Sequence, residues 1–173
     1  EAIAEPEMSD LSNILWVVDL NRQSLDRIIP GIRARAWREM FDANGWSVID
    51  AKYGKHLQTA FKEPHGDILR GTIDDMSNQV YQRLLRVSPS ELREWLPRSS
   101  RYSDDLSRFL ERWDDHQLQD LFRNLGGHDF SSLRQALNQA DASVRPSVIF
   151  AYTLKGWRLP SAGDPQNHSV ILS

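Results

Sequence analysis

Asn21 and Gln23 come straight after an apolar run, Ile14-Leu15-Trp16-Val17-Val18, that closes in Asp19-Leu20. Oxygen-bearing side chains at the end of a strand suit a hard cation such as Mg²⁺, which takes oxygen ligands and is commonly shared with the phosphates of a bound molecule. Two amides need a carboxylate from elsewhere to complete such a site, and ordinary polar loop residues are the alternative. Lys155 and Gly156 follow a second apolar run, Val148-Ile149-Phe150-Ala151, and His168 lies on the loop beyond. Lys155 can pair with phosphate as a point charge or stay solvated. His168 can donate a hydrogen bond to phosphate. His128, between the Gly126-Gly127 pair and Asp129, can carry a proton near neutral pH, and each histidine also has a purely structural reading. No phosphate-binding Gly-x-x-x-x-Gly-Lys loop, Gly-x-Gly-x-x-Gly, His-Glu-x-x-His or nucleophile elbow is present. The residues by themselves point to an α/β sheet with a metal and phosphate edge.

The elements that must position these groups follow from hydrophobic pattern. A continuous apolar run with β-branched residues predicts a strand covered on both faces, and hence a parallel sheet flanked by helices, in which ligands bind beyond the carboxyl ends of the strands. Residues 1 to 13 read as a helix tail and loop, and Ile28-Ile29-Pro30-Gly31 as a turn. Trp37, Met40 and Phe41 predict a helix closed by Asn44-Gly45, and Trp46-Ser47-Val48-Ile49-Asp50 a second strand. Residues 55 to 125 carry helical stripes and no convincing strand: Ile73, Met76, Val80 and Leu84; Leu106, Phe109, Leu110 and Trp113; Leu118, Leu121, Phe122 and Leu125. Ser88-Pro89-Ser90-Glu91 has the form of a capping box. Asp129 is placed to cap a helix whose apolar face is Leu133, Ala136, Leu137 and Ala140, and residues 147 to 153 read as a third strand. The expected organisation is one α/β domain with a helical insertion at about 55–125.

Composition removes several function classes. With 173 residues, 40% hydrophobic and 26% charged, the chain can bury one good core. A net charge of -3 and a pI near 6.0 give no general electrostatic reason to expect nucleic acid. The absence of cysteine excludes disulfides and thiolate metal sites and fits a cytoplasmic location. No apolar run approaches the roughly 18 residues of a membrane span, and the amino terminus has no signal-peptide pattern, so neither membrane nor secretion is expected. The chain starts Glu1-Ala2-Ile3-Ala4 and stops at Ser173 after an apolar run, which reads as part of something longer.

Several segments together resemble the thiamine diphosphate enzymes of the transketolase superfamily, and most closely the homodimeric type of pyruvate dehydrogenase. The family's diphosphate and metal motif opens with Gly-Asp-Gly and closes with Asn-x-Asn followed by Leu-Gln; Asp19-Leu20-Asn21-Arg22-Gln23-Ser24-Leu25-Asp26 resembles the closing half, with Asp19 in place of the first Asn. The opening half, with its carboxylate ligand, is expected upstream of Glu1. Ala43-Asn44-Gly45-Trp46-Ser47-Val48-Ile49 is similar to the family's Gly-Trp-x-Val-Ile segment, and Asn124-Leu125-Gly126-Gly127-His128-Asp129 to its Gly-His-Asp loop. Thr153-Leu154-Lys155-Gly156-Trp157 resembles Thr-x-Lys-Gly-aromatic, with Arg158 where many relatives have Gly, and Asn167-His168-Ser169 falls where the family places a His near the diphosphate. The helical insertion, with Met76-Ser77-Asn78 and Tyr81-Gln82, favours pyruvate dehydrogenase over transketolase, whose strand runs almost directly into the Gly-His-Asp loop.

The resemblance implies residues 1–173 as part of a diphosphate-binding domain, with thiamine diphosphate and Mg²⁺ as cofactors. Asn21 and Gln23 are then metal ligands, Gln23 through its backbone carbonyl, while Asp19, Asn21, Lys155 and His168 contact the cofactor and His128 lies near the reacting centre. It further implies a second copy of the parent chain, a lipoyl acyltransferase partner that receives the acyl group, a 2-oxo acid substrate, and no activity from these residues alone. A transketolase-like enzyme acting on sugar phosphates, and a cofactor-free scaffold domain, are the rival expectations.

Overall fold

The computed structural model describes residues 3–4, 11–24, 27–28, 34–164 and 166–167. The chain divides into two compact units: Glu1–Asn21, Ile32–Gly54 and Leu125–Thr153 form the first, and Arg22–Gly31, Lys55–Asn124 and Leu154–Ser173 the second.

The first unit is built on three parallel strands, β1 (Leu15–Leu20), β4 (Ser47–Ala51) and β5 (Ser147–Tyr152), in the order β1-β5-β4. Residues far apart in sequence share one register, with Val17 and Ile49 both opposite Ile149. Ser147 N–H donates to Ile14 O at 2.9 Å and Ser47 N–H to Pro146 O at 2.8 Å, which pins the start of both ladders. Because successive side chains alternate faces, β5 presents Val148 and Phe150 to one side and Ile149 and Ala151 to the other, all buried. Helix α1 (Ala34–Ala43) supplies Phe41 to the first face, where Trp46 and Leu20 join it. Phe41 meets Trp46 edge-on at 5.2 Å and Phe150 at 5.9 Å, the geometry that aromatic quadrupoles favour. Helix α8 (Phe130–Asp141) closes the other face with Ala136 and Ala140 against Ile49, Ala51, Ile149 and Ala151. Gly45, at φ 80°, ends α1 in the left-handed conformation, as Asn44-Gly45 predicts.

Two expectations differ here. The first strand is not covered on both faces: Leu15, Trp16 and Val17 are 40%, 37% and 59% exposed. Among the described residues it lies at the edge of the sheet, and α8 packs on β4 and β5. The stripe on α1 is also only partly buried, since Phe41 is enclosed while Trp37 and Met40 are exposed.

The second unit holds the helical stretch: α2 (Lys55–Ala60), α3 (Gly66–Asp74), α4 (Asn78–Leu84), α5 (Pro89–Arg98), α6 (Ser103–Leu110) and α7 (Asp115–Arg123). Its core is Leu57, Leu69, Leu84, Leu92, Leu96, Leu106, Phe109, Leu118 and Phe122, all 1% exposed or less. The stripe from Ile73 to Leu84 is shared by two helices, because Ser77 caps α4 by accepting from Val80 N–H at 3.3 Å. The α5 capping box forms as the pattern predicts, and a second, Asp114 with Gln117, opens α7. A short antiparallel pair, β2 (Gln23–Ser24) with β3 (Arg27–Ile28), was not signalled by pattern. The predicted turn beyond Ile28, the helix tail at the amino terminus and His168 lie outside the described residues, apart from a turn at Ile3 and Ala4.

Two outcomes follow from this packing. Phe150→Ala removes a fully buried ring and lowers unfolding free energy by about 3–5 kcal/mol, while Val144→Ala, at an exposed position, changes it by less than about 0.5 kcal/mol in chemical denaturation. In the capping box, the backbone N–H of Ser88, and then its hydroxyl, hold the Glu91 carboxyl below the usual carboxylate range. A lowered folded-state pKa contributes stability at neutral pH that is lost as pH falls through it. Thermal melts of Glu91→Gln and the unaltered protein therefore differ at neutral pH and converge in acid.

Candidate functional site at the carboxyl edge of the sheet

All three strands of the first unit run the same way, so their carboxyl ends share one edge. Asp19, the penultimate residue of β1, accepts a short hydrogen bond on Oδ1 from Thr153 Oγ1, just past the end of β5. Its Oδ2 accepts from Asn21 Nδ2 at 3.1 Å, and Thr153 N–H donates to Leu20 O at 3.2 Å. Asn21 is thereby oriented with its amide oxygen turned away from the Asp19 carboxylate. Past β4, Lys52 Nζ sits 4.8 Å from the centroid of Tyr53 and 5.9 Å from that of Tyr152.

The Gly-Gly-His turn is laid against this edge. Gly126–His128 forms one 3-10 turn, with Gly126 N–H donating to Lys52 O at 3.1 Å and Tyr53 bridging Leu125. Glycine is required at both positions by close approach: a Cβ on Gly126 would lie 2.3 Å from Ala51 O, and one on Gly127 2.6 Å from Tyr152 O. Asp129 caps α8 by accepting from Ser132 N–H at 2.8 Å, and Ser132 Oγ in turn donates to Tyr53 O at 3.2 Å. His128 is half-buried in this turn. The first unit therefore brings Asp19, Asn21 and the turn that carries His128 to one sheet edge, with Thr153 as the group that holds Asp19.

Gln23 and Lys155 belong to the second unit. Gln23 is buried and donates from Nε2 to Asp164 O at 3.2 Å. Lys155 is half-buried, and its backbone carbonyl accepts from Gly163 N–H at 3.0 Å and from Asn167 Nδ2 at 2.8 Å. Gly156, at φ 71°, packs so tightly on Asn167 that a Cβ would lie 2.1 Å from its Nδ2. Arg158, at the position where the family pattern has Gly, itself takes φ 65° and lays its guanidinium 4.5 Å from the Trp157 ring centroid. The turn thus takes the left-handed conformation here without glycine.

Arg22 is the residue that pattern reading missed. It stands between the predicted metal ligands in sequence, is 7% exposed at φ 62°, and stacks 4.4 Å from the ring centroid of Tyr81. Burial, with Arg22 pulling the other way, pushes the Tyr81 hydroxyl up to about 12, so it stays protonated and donates to Phe122 O at 3.2 Å. The available signal was a charge where the family motif has Leu. Among the described residues no cluster of three or more His, Cys, Asp or Glu is placed to hold a metal. The amide oxygen that Asn21 offers at this edge is a donor of the kind Mg²⁺ takes when it is shared with a diphosphate. Taken singly, Asn21 in the first unit and Gln23 and Lys155 in the second are each of a type that such a pair accepts.

Comparison with known proteins converges on one group. The chain is 28% identical over 162 residues to the pyruvate dehydrogenase E1 component of Corynebacterium glutamicum, covering 91% of this chain and 17% of the relative. The E1 components of Escherichia coli K12 and Cupriavidus necator are each 25% identical over 170 residues, 96% of this chain and 18% of theirs. The chain is similar to pyruvate dehydrogenase E1. No family model matches it. It spans about one sixth of the length of these E1 relatives, and the similarity links it to an oxidoreductase family. No helix among the described residues is long and apolar enough to cross a membrane.

The close approach at the turn makes a direct test. Gly127→Ala costs about 1–3 kcal/mol of stability, because its Cβ meets backbone that cannot yield. Gly71→Ala, in the middle of α3 with nothing within 4 Å of the added methyl, stabilises by about 0.5–1 kcal/mol in the same denaturation assay.

Proposed function

We propose that the chain is part of the diphosphate-binding domain of an enzyme that oxidatively decarboxylates a 2-oxo acid, pyruvate first among them, using thiamine diphosphate and Mg²⁺ and passing the acyl group to a lipoyl acyltransferase. The observation that carries this reading is the meeting of Asp19, Asn21 and Thr153 with the Gly126-Gly127-His128 turn at one sheet edge, in a chain similar to E1 components over nearly all its length.

In this reading Asn21 contributes its amide oxygen and Gln23 its backbone carbonyl to Mg²⁺, and Asp19 orients Asn21. Lys155 and His168 face the diphosphate, Lys155 as a point charge whose backbone is fixed by Asn167 and Gly163. The thiamine ring supplies the carbanion chemistry when bound. The protein's part is to hold metal and diphosphate in place and to keep water out. His128, on a turn clamped by two close-packed glycines, is set to move a proton near the reacting centre. The active form pairs two copies of the full-length protein in the cytoplasm, and the present residues alone do not turn over.

The test is made on the full-length protein. Titration calorimetry is expected to show Mg²⁺-dependent thiamine diphosphate binding, and Asp19→Ala to weaken it by about 10–100-fold through loss of Asn21 orientation. Reduction of an artificial electron acceptor is then compared with pyruvate, 2-oxoglutarate and branched 2-oxo acids, and turnover with one of them names the substrate. Binding without turnover on any of them favours sugar phosphates instead. A folded protein that binds no cofactor overturns the proposal in favour of a scaffold.

A further inference from the structure

Gln82, on α4, is 1% exposed, and its Nε2 donates to Gly163 O at 2.7 Å. The amide N–H of that same Gly163 donates to Lys155 O at 3.0 Å. We propose that Gln82 is a positioning residue for Lys155, acting through Gly163 to fix the loop that presents the lysine to a diphosphate. The proposal rests on the reading of Lys155 given above.

Three observations within the second unit support it. Gly163 has φ 75°, and a Cβ there would lie 3.2 Å from Gln82 Nε2 and 3.1 Å from Leu154 Cδ1, so the carbonyl is held where the glutamine reaches it. The loop is closed on itself around Lys155, with Ser161 Oγ donating to Asn167 Oδ1 at 2.7 Å and Asn167 Nδ2 to Lys155 O at 2.8 Å. Gly163 and Lys155 are therefore joined backbone to backbone. Neighbouring side chains hold the next residue: Arg86, past the end of α4, pairs with Asp164 Oδ2 at 3.2 Å, and Gln23 Nε2 donates to Asp164 O at 3.2 Å.

The Gln82 Oε1 is buried and meets no hydrogen-bond partner among the described residues, a condition that costs free energy in a low-dielectric interior. An apolar side chain of the same length would fill the space without a buried Oε1, while leaving Gly163 O without this donor. That donation is the Gln82 bond that reaches the loop among the described residues.

The test is a double-mutant cycle on the full-length protein with saturating Mg²⁺, reading affinity for inorganic diphosphate and for thiamine diphosphate by calorimetry. Lys155→Ala is expected to weaken both by about tenfold, the loss of a charge-assisted contact. Gln82→Met, which keeps length and removes the donor, is expected to weaken both by about fivefold, and Lys155→Ala in that background to add less than about twofold. Full additivity of the two substitutions overturns the proposal and leaves the reading of Lys155 intact. No effect of Lys155→Ala on its own overturns both.

Should Gln82→Met fold poorly, Gln82→Glu gives an independent readout. Its carboxyl donates to Gly163 O only when protonated. Diphosphate affinity of Gln82→Glu is expected to match the unaltered protein in acid and to fall below it as pH rises, relative to a parallel titration of the unaltered protein. A constant ratio across pH overturns the proposal, since a residue that merely fills space gives no such profile.

Discussion

The double pairing of β5 is the constraint on which the first unit depends. A parallel strand flanked on both sides has every backbone donor and acceptor committed to its neighbours, and burial of Val148, Ile149 and Phe150 to 1% or less follows from being covered on both faces as well. Since β5 comes last in sequence yet lies centrally, neither β1 nor β4 can complete its ladder until the intervening residues have folded back. That non-local closure carries an entropic cost that only the burial on both faces offsets. Its structural result is that positions 20, 52 and 153 end on the same edge.

That edge is polar because the ladder ends there. Leu20 O accepts from Thr153 N–H, one residue past the strand, and the next groups along are side chains rather than backbone. Thr153 and Asn21 converge on the two oxygens of the Asp19 carboxylate, so a charge that would otherwise wander is fixed by two donors. The Gly126-Gly127 turn then approaches the ends of β4 and β5 more closely than any other residue allows. Rigid scaffold below and tight turn above are the conditions under which side chains hold a geometry without paying for it at the moment of binding.

Local chemistry was legible in the sequence at several places where the interaction spans a few residues. Ser88 with Glu91, Asp129 with Ser132 and the closure of α1 at Gly45 all follow from side-chain types at fixed offsets. Strand identity was legible too, because apolar runs of this length with β-branched residues have few other homes. Exposure of β1 was not: a run such as Leu15-Trp16-Val17 has the same composition at the centre of a sheet as at its edge, and which strand becomes central is decided by pairing. The break at Ser77 was hidden because the apolar spacing continues through it. Bonds from Gln82 to Gly163 and from Gln23 to Asp164 join residues 81 and 141 positions apart, so no local pattern announces them. Arg22 was visible only as a departure from the family motif.

The two arginines in the left-handed conformation share a cause. Arg22 comes two residues past the end of β1, and Arg158 lies six past β5, each where the chain must turn sharply after a strand. A non-glycine residue at such a φ costs roughly 1–2 kcal/mol. Each guanidinium stacks on an aromatic ring, Tyr81 for Arg22 and Trp157 for Arg158, a contact that contributes about 0.5–2 kcal/mol depending on desolvation. The two magnitudes are comparable, so the strain is offset where it arises. Glycine at either position would remove the strain, but it would also remove the guanidinium that stacks on the ring and widen the unfolded ensemble. An arginine held this way fixes the direction of the segment that follows it, which for Arg22 is Gln23 and for Arg158 the loop closed around Lys155.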